Sequence, residues 1–301
     1  YLEVERGEAV GVVGETGCGK STLGLSIVRL LDESGKIVKG KIVFNGDSIL
    51  EKRPDEIREI RRKYISLIFQ DPTAALNPVH KVGEQIVEAI QMSKGLKRNE
   101  ALEESSKILS MLGIPEPRKV MEQYPHELSG GMKQRIMIAI ALSKNPLLLI
   151  ADEPTSNLDV TTQAQILELI SELRKNTQMS MLLITHDMGI VAQTCDKVAV
   201  MYAGEVVEFG KIRDVFKNPL HPYTQSLLKV ANLVGEKTRL ESIPGTIPDL
   251  RNPPRGCLFA PRCPYSFDKC LRIKPPNTML NGTRYVTCWL VEDKVNRVGL
   301  S

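Results

Sequence analysis

The sequence predicts an α/β fold built on a buried, mainly parallel sheet, and three observations carry that prediction. An apolar, β-rich run at residues 9–13 leads through a glycine-rich loop into a stretch of helical periodicity that reaches residue 31. Further apolar runs at 147–151, 181–185 and 198–202 are separated by helical segments, the pattern of strands covered on both faces. The first of these runs ends in two adjacent carboxylates, Asp152 and Glu153, at the strand edge where α/β sheets receive ligands.

Composition sets the bounds. A chain of 301 residues with 42% apolar and 25% charged residues is long enough for a full core and close to globular averages. Disorder, collagen-like repeats and a membrane-embedded chain are excluded, and no apolar run approaches the length of a spanning helix. The expected class is soluble and globular. The chain opens at Tyr1 without a methionine or a charged-then-apolar leader, so it reads as continuing upstream rather than as carrying a signal peptide.

The net charge of +4 is too mild to point to nucleic acid or anionic lipid. It is unevenly placed: residues 243–301 carry nine Lys or Arg against four Asp or Glu, eight of the 18 prolines and four of the six cysteines. This shift sets an expected domain boundary near residue 240, with residues 1–240 as one domain and 241–301 as a small irregular one.

Taken in order, the strand at 9–13 meets a helix whose apolar positions are Leu23, Ile27, Leu30 and Leu31. Residues 41–44 read as a strand closed by an Asn45-Gly46 turn, 55–63 as a charged helix, and 65–69 as a short strand before Gln70-Asp71-Pro72. From 82 to 112 the period is helical, with Ile86, Ile90, Leu102, Ile108, Leu109 and Leu112 on inner faces, and this predicts a helical insertion at about 76–135. The strand at 147–151 then precedes a helix at 160–175.

Gly14-Glu15-Thr16-Gly17-Cys18-Gly19-Lys20-Ser21-Thr22 contains G-x-x-x-x-G-K-[ST] in the confirming context of a strand before and a helix after. Glycines let backbone N–H groups curl around phosphate oxygens, Lys20 reaches the β and γ phosphates, and the Ser21 hydroxyl ligates Mg²⁺. Asp152 is the expected metal carboxylate and Glu153 the general base that polarises water. Leu128-Ser129-Gly130-Gly131-Met132-Lys133-Gln134 opens an Ile- and Ala-rich segment and forms a second anion site at a helix N-terminus. One nucleotide does not easily use both.

Together the glycine loop, this LSGGM-type signature, Gln70, Asp152-Glu153 and His186 resemble the ATPase subunit of an ABC transporter over almost the whole of the first 240 residues. The resemblance implies a P-loop NTPase fold of ABC type, a RecA-like core with a helical subdomain, and ATP with Mg²⁺ as the nucleotide. It also implies head-to-tail dimerisation, in which Ser129, Gly130, Gly131, Met132, Gln134 and Asp159 act in trans on ATP held by the partner's glycine loop. Gln70 would join Ser21 and Asp152 around Mg²⁺, sense the attacking water and face the transmembrane partner, and His186 would contact the γ-phosphate. Asn157 stands where the family more often has alanine. The family's adenine-stacking aromatic residue lies further upstream than Tyr1.

Cys257, Cys263, Cys270 and Cys288 are separated by five, six and 17 residues. The wide spacing and the Cys263-Pro264 step place an iron–sulfur cluster ahead of zinc, with disulfides or free thiols as the third reading. Cys18 and Cys195 read as structural, with Cys18 open to alkylation at its helix N-terminus, and Trp289 as packing. Asn218-Pro219-Leu220-His221-Pro222-Tyr223-Thr224, Ile243-Pro244-Gly245 and Gly256-Cys257-Leu258-Phe259-Ala260-Pro261-Arg262-Cys263-Pro264 resemble the C-terminal extension of oligopeptide and dipeptide importer ATPases. In that branch some members carry a [4Fe-4S] cluster on cysteines at this spacing, which implies the same four ligands here.

The implied function is ATP hydrolysis driving import of dipeptides or oligopeptides. The implied partners are a second nucleotide-binding subunit (a paralogue or a second copy), two transmembrane permease subunits and, indirectly, an extracytoplasmic solute-binding protein. The implied location is the cytoplasmic face of the cell membrane, with no nucleic acid bound. Importers of nickel or sugar oligomers remain open, as does a soluble ABC ATPase outside transport. Against the latter, no sustained heptads lie between Lys20 and Leu147, and the chain has a single P-loop. An ATP-binding protein without turnover is opposed by the intact set Lys20, Asp152, Glu153 and His186.

Overall fold

The computed structural model describes residues 1–156, 158–232 and 243–292, so Asn157 and the expected boundary near residue 240 lie outside the described residues. Strand β1 (Ala9–Val13) is buried at all five positions and leads into helix α1 (Lys20–Ile27). This helix stops short of residue 31 because Arg29 turns left-handed, at φ 52°, and Leu30 N–H closes back on Leu25 O. The predicted strand at 41–44 shrinks to a two-residue hairpin, β2 (Val43–Phe44) and β3 (Asp47–Ser48). Its turn is the expected Asn45-Gly46, with positive φ at both residues as a twisted two-residue turn demands.

Helix α2 (Pro54–Lys63) begins with Pro54 and acidic Asp55 and Glu56 and ends with Arg61, Arg62 and Lys63, so its charges complement the helix dipole. After β4 (Ile65–Ile68) comes the short α3 (Pro72–Ala75), capped by Asp71, whose carboxylate accepts from Thr73 N–H. The single predicted helical stretch at 82–112 is two helices, α4 (Val82–Lys94) and α5 (Arg98–Met111), because Gly95 adopts φ 69° and ends the first. Next follow α6 (Pro117–Met121), α7 (Gly130–Ser143), β5 (Leu148–Asp152), α8 (Val160–Thr177) and β6 (Ser180–Thr185). The remainder is α9 (Met188–Thr194), β7 (Lys197–Tyr202), β8 (Glu205–Lys211), α10 (Ile212–Lys217), α11 (Pro222–Asn232), α12 (Asp268–Arg272), β9 (Thr278–Asn281) and β10 (Arg284–Val286).

The α/β class predicted from the sequence is what forms, with β8, β9 and β10 as antiparallel additions. The chain divides into two compact units. One comprises Tyr1–Val4, Ala9–Lys20 and the chain from Leu183 onward; in it β1 runs parallel to β7, from Val10 opposite Lys197 to Val13 opposite Val200. There β7 pairs antiparallel with β8, β8 with β10, and β10 with β9. Its core joins Val13, Val198, Val200, Tyr202 and Tyr223 to Phe259 of the cysteine-rich segment. Tyr202 meets Phe259 edge to face at a centroid distance of 5.2 Å.

The second unit comprises Glu5–Glu8 and Ser21–Leu182. Here β4 and β5 are parallel, from Ile65 opposite Leu148 to Ile68 opposite Ala151. Helix α7 packs on α3, α4, α5 and β4, burying Ile136 and Ile138 with Ile86, Ile90 and Leu109. Among the described residues no helix is long and apolar enough to cross a membrane.

Candidate nucleotide site

The phosphate loop leaves β1 at Gly14, where only glycine fits: a Cβ there would lie 2.1 Å from Met201 O. Gly17 and Gly19 follow with φ of 82° and 100°, backbone that L side chains adopt at a cost of about 1–2 kcal/mol per residue. Lys20 is buried, and its Nζ donates to Gly14 O at 2.8 Å and Glu15 O at 3.0 Å, so the ammonium rests on the loop's own carbonyls. The loop is held from behind by the β7–β8 turn, where Gly204 N–H donates to Cys18 O at 2.8 Å. Thr16 and Gly17 at the tip are exposed.

Cys18 corrects an expectation. Its side chain is fully buried, and burial pushes its thiol up, with the Lys20 charge offsetting only part of this, so it is not an alkylation site in the folded chain. Glu15 is anchored twice: its N–H donates to Tyr223 Oη at 2.9 Å, and its carboxylate accepts two bonds from Arg262, at 2.7 and 2.9 Å. His186 is exposed just beyond β6, before Asp187, which caps α9 by accepting from Gly189 N–H and Ile190 N–H.

In the second unit, Ser21 is half-buried and Thr22 exposed in the first turn of α1. The parallel pairing of β4 with β5 delivers the residues after Ile68 and Ala151 to the same edge. Gln70 Nε2 consequently donates to Glu153 Oε2 at 3.4 Å, although 83 residues separate them. Asp152 ends β5 in a buried position, and Glu153 turns left-handed at φ 45°. The signature begins α7: Ser129 caps it by accepting from Met132 N–H, Ser129 and Gly130 are exposed, and Gly131 and Met132 are half-buried. Gln134 is fully buried and donates to Pro154 O, tying the signature helix to the turn after Asp152 in the same chain. Asp159 caps α8 by accepting from Thr162 N–H at 3.0 Å, and that bond holds its carboxyl below the usual range.

Cys257, Cys263, Cys270 and Cys288 are free thiols that all line one small cavity with His221 and Trp289. Burial pushes the Cys257 and Cys288 thiols up to about 11 and raises that of Cys263. His221 Nδ1 accepts from Tyr223 N–H, while its buried Nε2 has no hydrogen-bond partner, and burial lowers the imidazole to about 3. Trp289 packs as expected and donates to Ile273 O. Among the described residues no three His, Cys, Asp or Glu side chains are close enough to share one metal ion.

Sequence reasoning did not assign Gly204, Tyr223, Arg262 or the inward turn of Gln134. For Tyr223 and Arg262 the signal was the pair of C-terminal motifs in which they sit.

A glycine loop springing from a parallel strand, with Lys20 folded beneath it, defines a P-loop nucleotide-binding protein. The ABC transporter family model matches residues 1–156, and the model for the oligopeptide/dipeptide transporter C-terminal region matches residues 207–270. The dipeptide transport ATP-binding protein DppD of Bacillus subtilis is 47% identical over 100% of this chain and 90% of its own length. The oligopeptide transport ATP-binding protein OppD of Salmonella typhimurium is 49% identical over 89% of this chain and 80% of its own. Among solved structures, the dimeric ATP-binding cassette MJ0796 bound to ADP and Pi superposes with a TM-score of 0.64. It is 28% identical and covers 70% of this chain and 88% of its own. The chain belongs to the ABC transporter ATP-binding family.

Proposed function

We propose that the chain is the ATP-hydrolysing subunit of an ABC importer for dipeptides or oligopeptides. The observation that carries this is the joint presence of an ABC cassette and the oligopeptide/dipeptide transporter C-terminal region in one chain. MgATP is the substrate. The loop Gly14, Glu15, Thr16, Gly17, Cys18, Gly19, Lys20, Ser21 and Thr22 binds its phosphates, with Lys20 leaving the Gly14 and Glu15 carbonyls for the β and γ oxygens. Ser21, Gln70 and Asp152 offer the hydroxyl, amide and carboxylate oxygens that a hard divalent cation takes, and the cation neutralises phosphate charge. Glu153 polarises the attacking water, Gln70, whose Nε2 donates to the Glu153 carboxylate at 3.4 Å, positions that water, and His186 contacts the γ-phosphate.

The exposed Ser129 and Gly130, with Gly131 and Met132, act on the nucleotide of a partner subunit. Gln134 fixes their helix to Pro154, and Asp159 couples the paired sites. At the cytoplasmic membrane face the chain's partners are a second nucleotide-binding subunit, paralogue or copy, and two permease subunits, through which an extracytoplasmic solute-binding protein acts indirectly. Residues 1–240 form the nucleotide-binding domain and 241–301 the extension.

The cysteines of the extension, we further propose, hold a [4Fe-4S] cluster. Four thiols on one cavity match the count that its donor chemistry calls for. The cavity of about 10 Å³ has room for about one water, so the thiols would have to spread to admit a cluster. Zinc needs its ligands gathered at one point, whereas a cubane takes each thiolate on a separate iron. Anaerobic purification with iron, sulfide and zinc quantification decides: iron and sulfide in equal amounts support the cluster, and zinc alone refutes it.

Glu153→Gln should keep MgATP affinity while slowing hydrolysis about 10²–10⁴-fold, the range a general base supplies. Unchanged turnover removes Glu153 from that role. Cells with the cognate permease should lose labelled-peptide uptake when the chain carries Lys20→Ala; loss of nickel or sugar uptake instead would overturn the peptide assignment.

A further inference from the structure

We propose that helix α11 and the C-terminal extension together position and neutralise the phosphate loop, through Tyr223 and Arg262 acting on Glu15; this rests on the nucleotide-binding role given to the loop above. Glu15 is the second residue of a loop built to receive a polyanion, so its carboxylate brings a like charge to an anion site. Arg262 answers that charge with a two-pronged contact, Nη1 to Oε2 at 2.7 Å and Nη2 to Oε1 at 2.9 Å, spanning 247 residues of sequence. The Arg262 side chain is only 5% exposed and that of Glu15 27%, so solvent reaches the pair from the carboxylate side alone and screens it in part.

The guanidinium is pre-organised for the task. Its remaining donors go to Pro244 O at 2.8 Å, Ile243 O at 3.1 Å and Tyr202 Oη at 3.4 Å, so all five N–H groups have acceptors. The Tyr202 and Phe259 rings lie 5.7 and 6.0 Å from its central carbon. Arg262 thus rests on the cysteine segment that carries it and presents one face to the loop.

Tyr223 completes the brace. Its ring is fully buried, and its hydroxyl takes the Glu15 N–H, which removes that amide from the set available to phosphate. Glu15 is therefore held by main chain and side chain, and its carbonyl, with that of Gly14, carries the Lys20 ammonium. A shift at Glu15 moves the resting place of the lysine that must reach the phosphates. The motifs containing Tyr223 and Arg262 meet at this one loop residue.

The test is a double-mutant cycle on the full chain, reading MgATP affinity by titration and stability by melting without nucleotide. Arg262→Ala should raise the MgATP Kd at least about tenfold, the ratio that lost charge-assisted hydrogen bonds carry. Adding Glu15→Gln should remove most of that defect, because the uncompensated carboxylate is gone. Arg262→Lys, which keeps the charge but loses the fork, should fall between.

A role confined to anchoring Ile243 and Pro244 predicts a lower melting temperature and a Kd defect that Glu15→Gln does not relieve. That result, or an Arg262→Ala chain with wild-type affinity, overturns the proposal. A wild-type chain that binds no MgATP overturns the nucleotide reading and this proposal with it.

Discussion

Replacing Gly14 by alanine tests how tightly the phosphate loop is built into its sheet. The added Cβ would lie 2.1 Å from Met201 O and 2.8 Å from Cys18 Sγ, where contacts under 3.0 Å essentially never occur. The carbonyl contact must therefore open by about 0.9 Å to reach that limit. Neither side yields freely: Met201 belongs to β7, and the Val13–Val200 pairing holds β1 to that strand one residue away. Gly14 O also carries the Lys20 ammonium, so the displacement passes to the group that meets phosphate. A misplacement of about 1 Å costs about 10²-fold in catalysis, and the overpacking adds about 1–3 kcal/mol of destabilisation. Steady-state ATP hydrolysis and nucleotide titration, each beside a melting curve, read the two effects separately. Gly17→Ala is the control: with φ 82° and nothing within 4 Å of its Cβ, it carries backbone strain of about 1–2 kcal/mol and no clash. A Gly14→Ala chain that binds and hydrolyses ATP like wild type, or no worse than Gly17→Ala, would refute the reasoning.

Glu208→Ala should destabilise the chain by about 3–5 kcal/mol, the cost of breaking a buried ion pair, and lower Tm by about 10 °C. Its fully buried carboxylate accepts from Leu220 N–H, His221 N–H at 2.9 Å and Arg284 Nη2 at 3.0 Å, and all three would lose it; a melting shift below about 2 °C contradicts this. Cys18 should react slowly with iodoacetamide at pH 8. Its raised thiol leaves less thiolate there than a free cysteine has, so mass spectrometry should find it labelled far more slowly folded than denatured.

The strands and loops that carry chemistry were legible because their signals are local. Residues 9–13 and 147–151 are apolar runs bounded by glycine or by paired acids, and the strands formed there differ by at most one residue at an end. What sequence periodicity missed lay at the margins. Gly95 sits inside a continuous helical period, and only its left-handed backbone reveals the break between α4 and α5. The strands β9 and β10 are four and three residues long, too short to show alternation, and they lie in a segment whose prolines and cysteines argue for irregular structure. An asparagine–glycine pair at 281–282, a hairpin signal, was the available clue.

The site divides along the same line. Lys20, Asp152 and the signature glycines announce themselves because phosphate and metal chemistry require those residue types at fixed spacings. Arg262 and Tyr223 do not, since an arginine or tyrosine in a proline-rich tail has no local feature that names a partner 247 or 208 residues away.

The burial of the tail follows from what it covers. Tyr202 and Tyr223 are fully buried, and Phe259 packs edge-on against the first and tilted, at 5.4 Å, against the second. On the other flank β10 occupies the edge of β8, with Tyr285 opposite Phe209, and without it β8 would present an unpaired hydrogen-bonding edge beside exposed aromatic surface. The strand ladder that reaches this edge runs from β1 through β7 and β8, and β1 is the strand from which the phosphate loop springs. An extension bound in this way cannot loosen without disturbing the sheet behind the loop. The contact from Arg262 to Glu15 therefore ends a continuous packed path instead of reaching across from a loosely attached appendage.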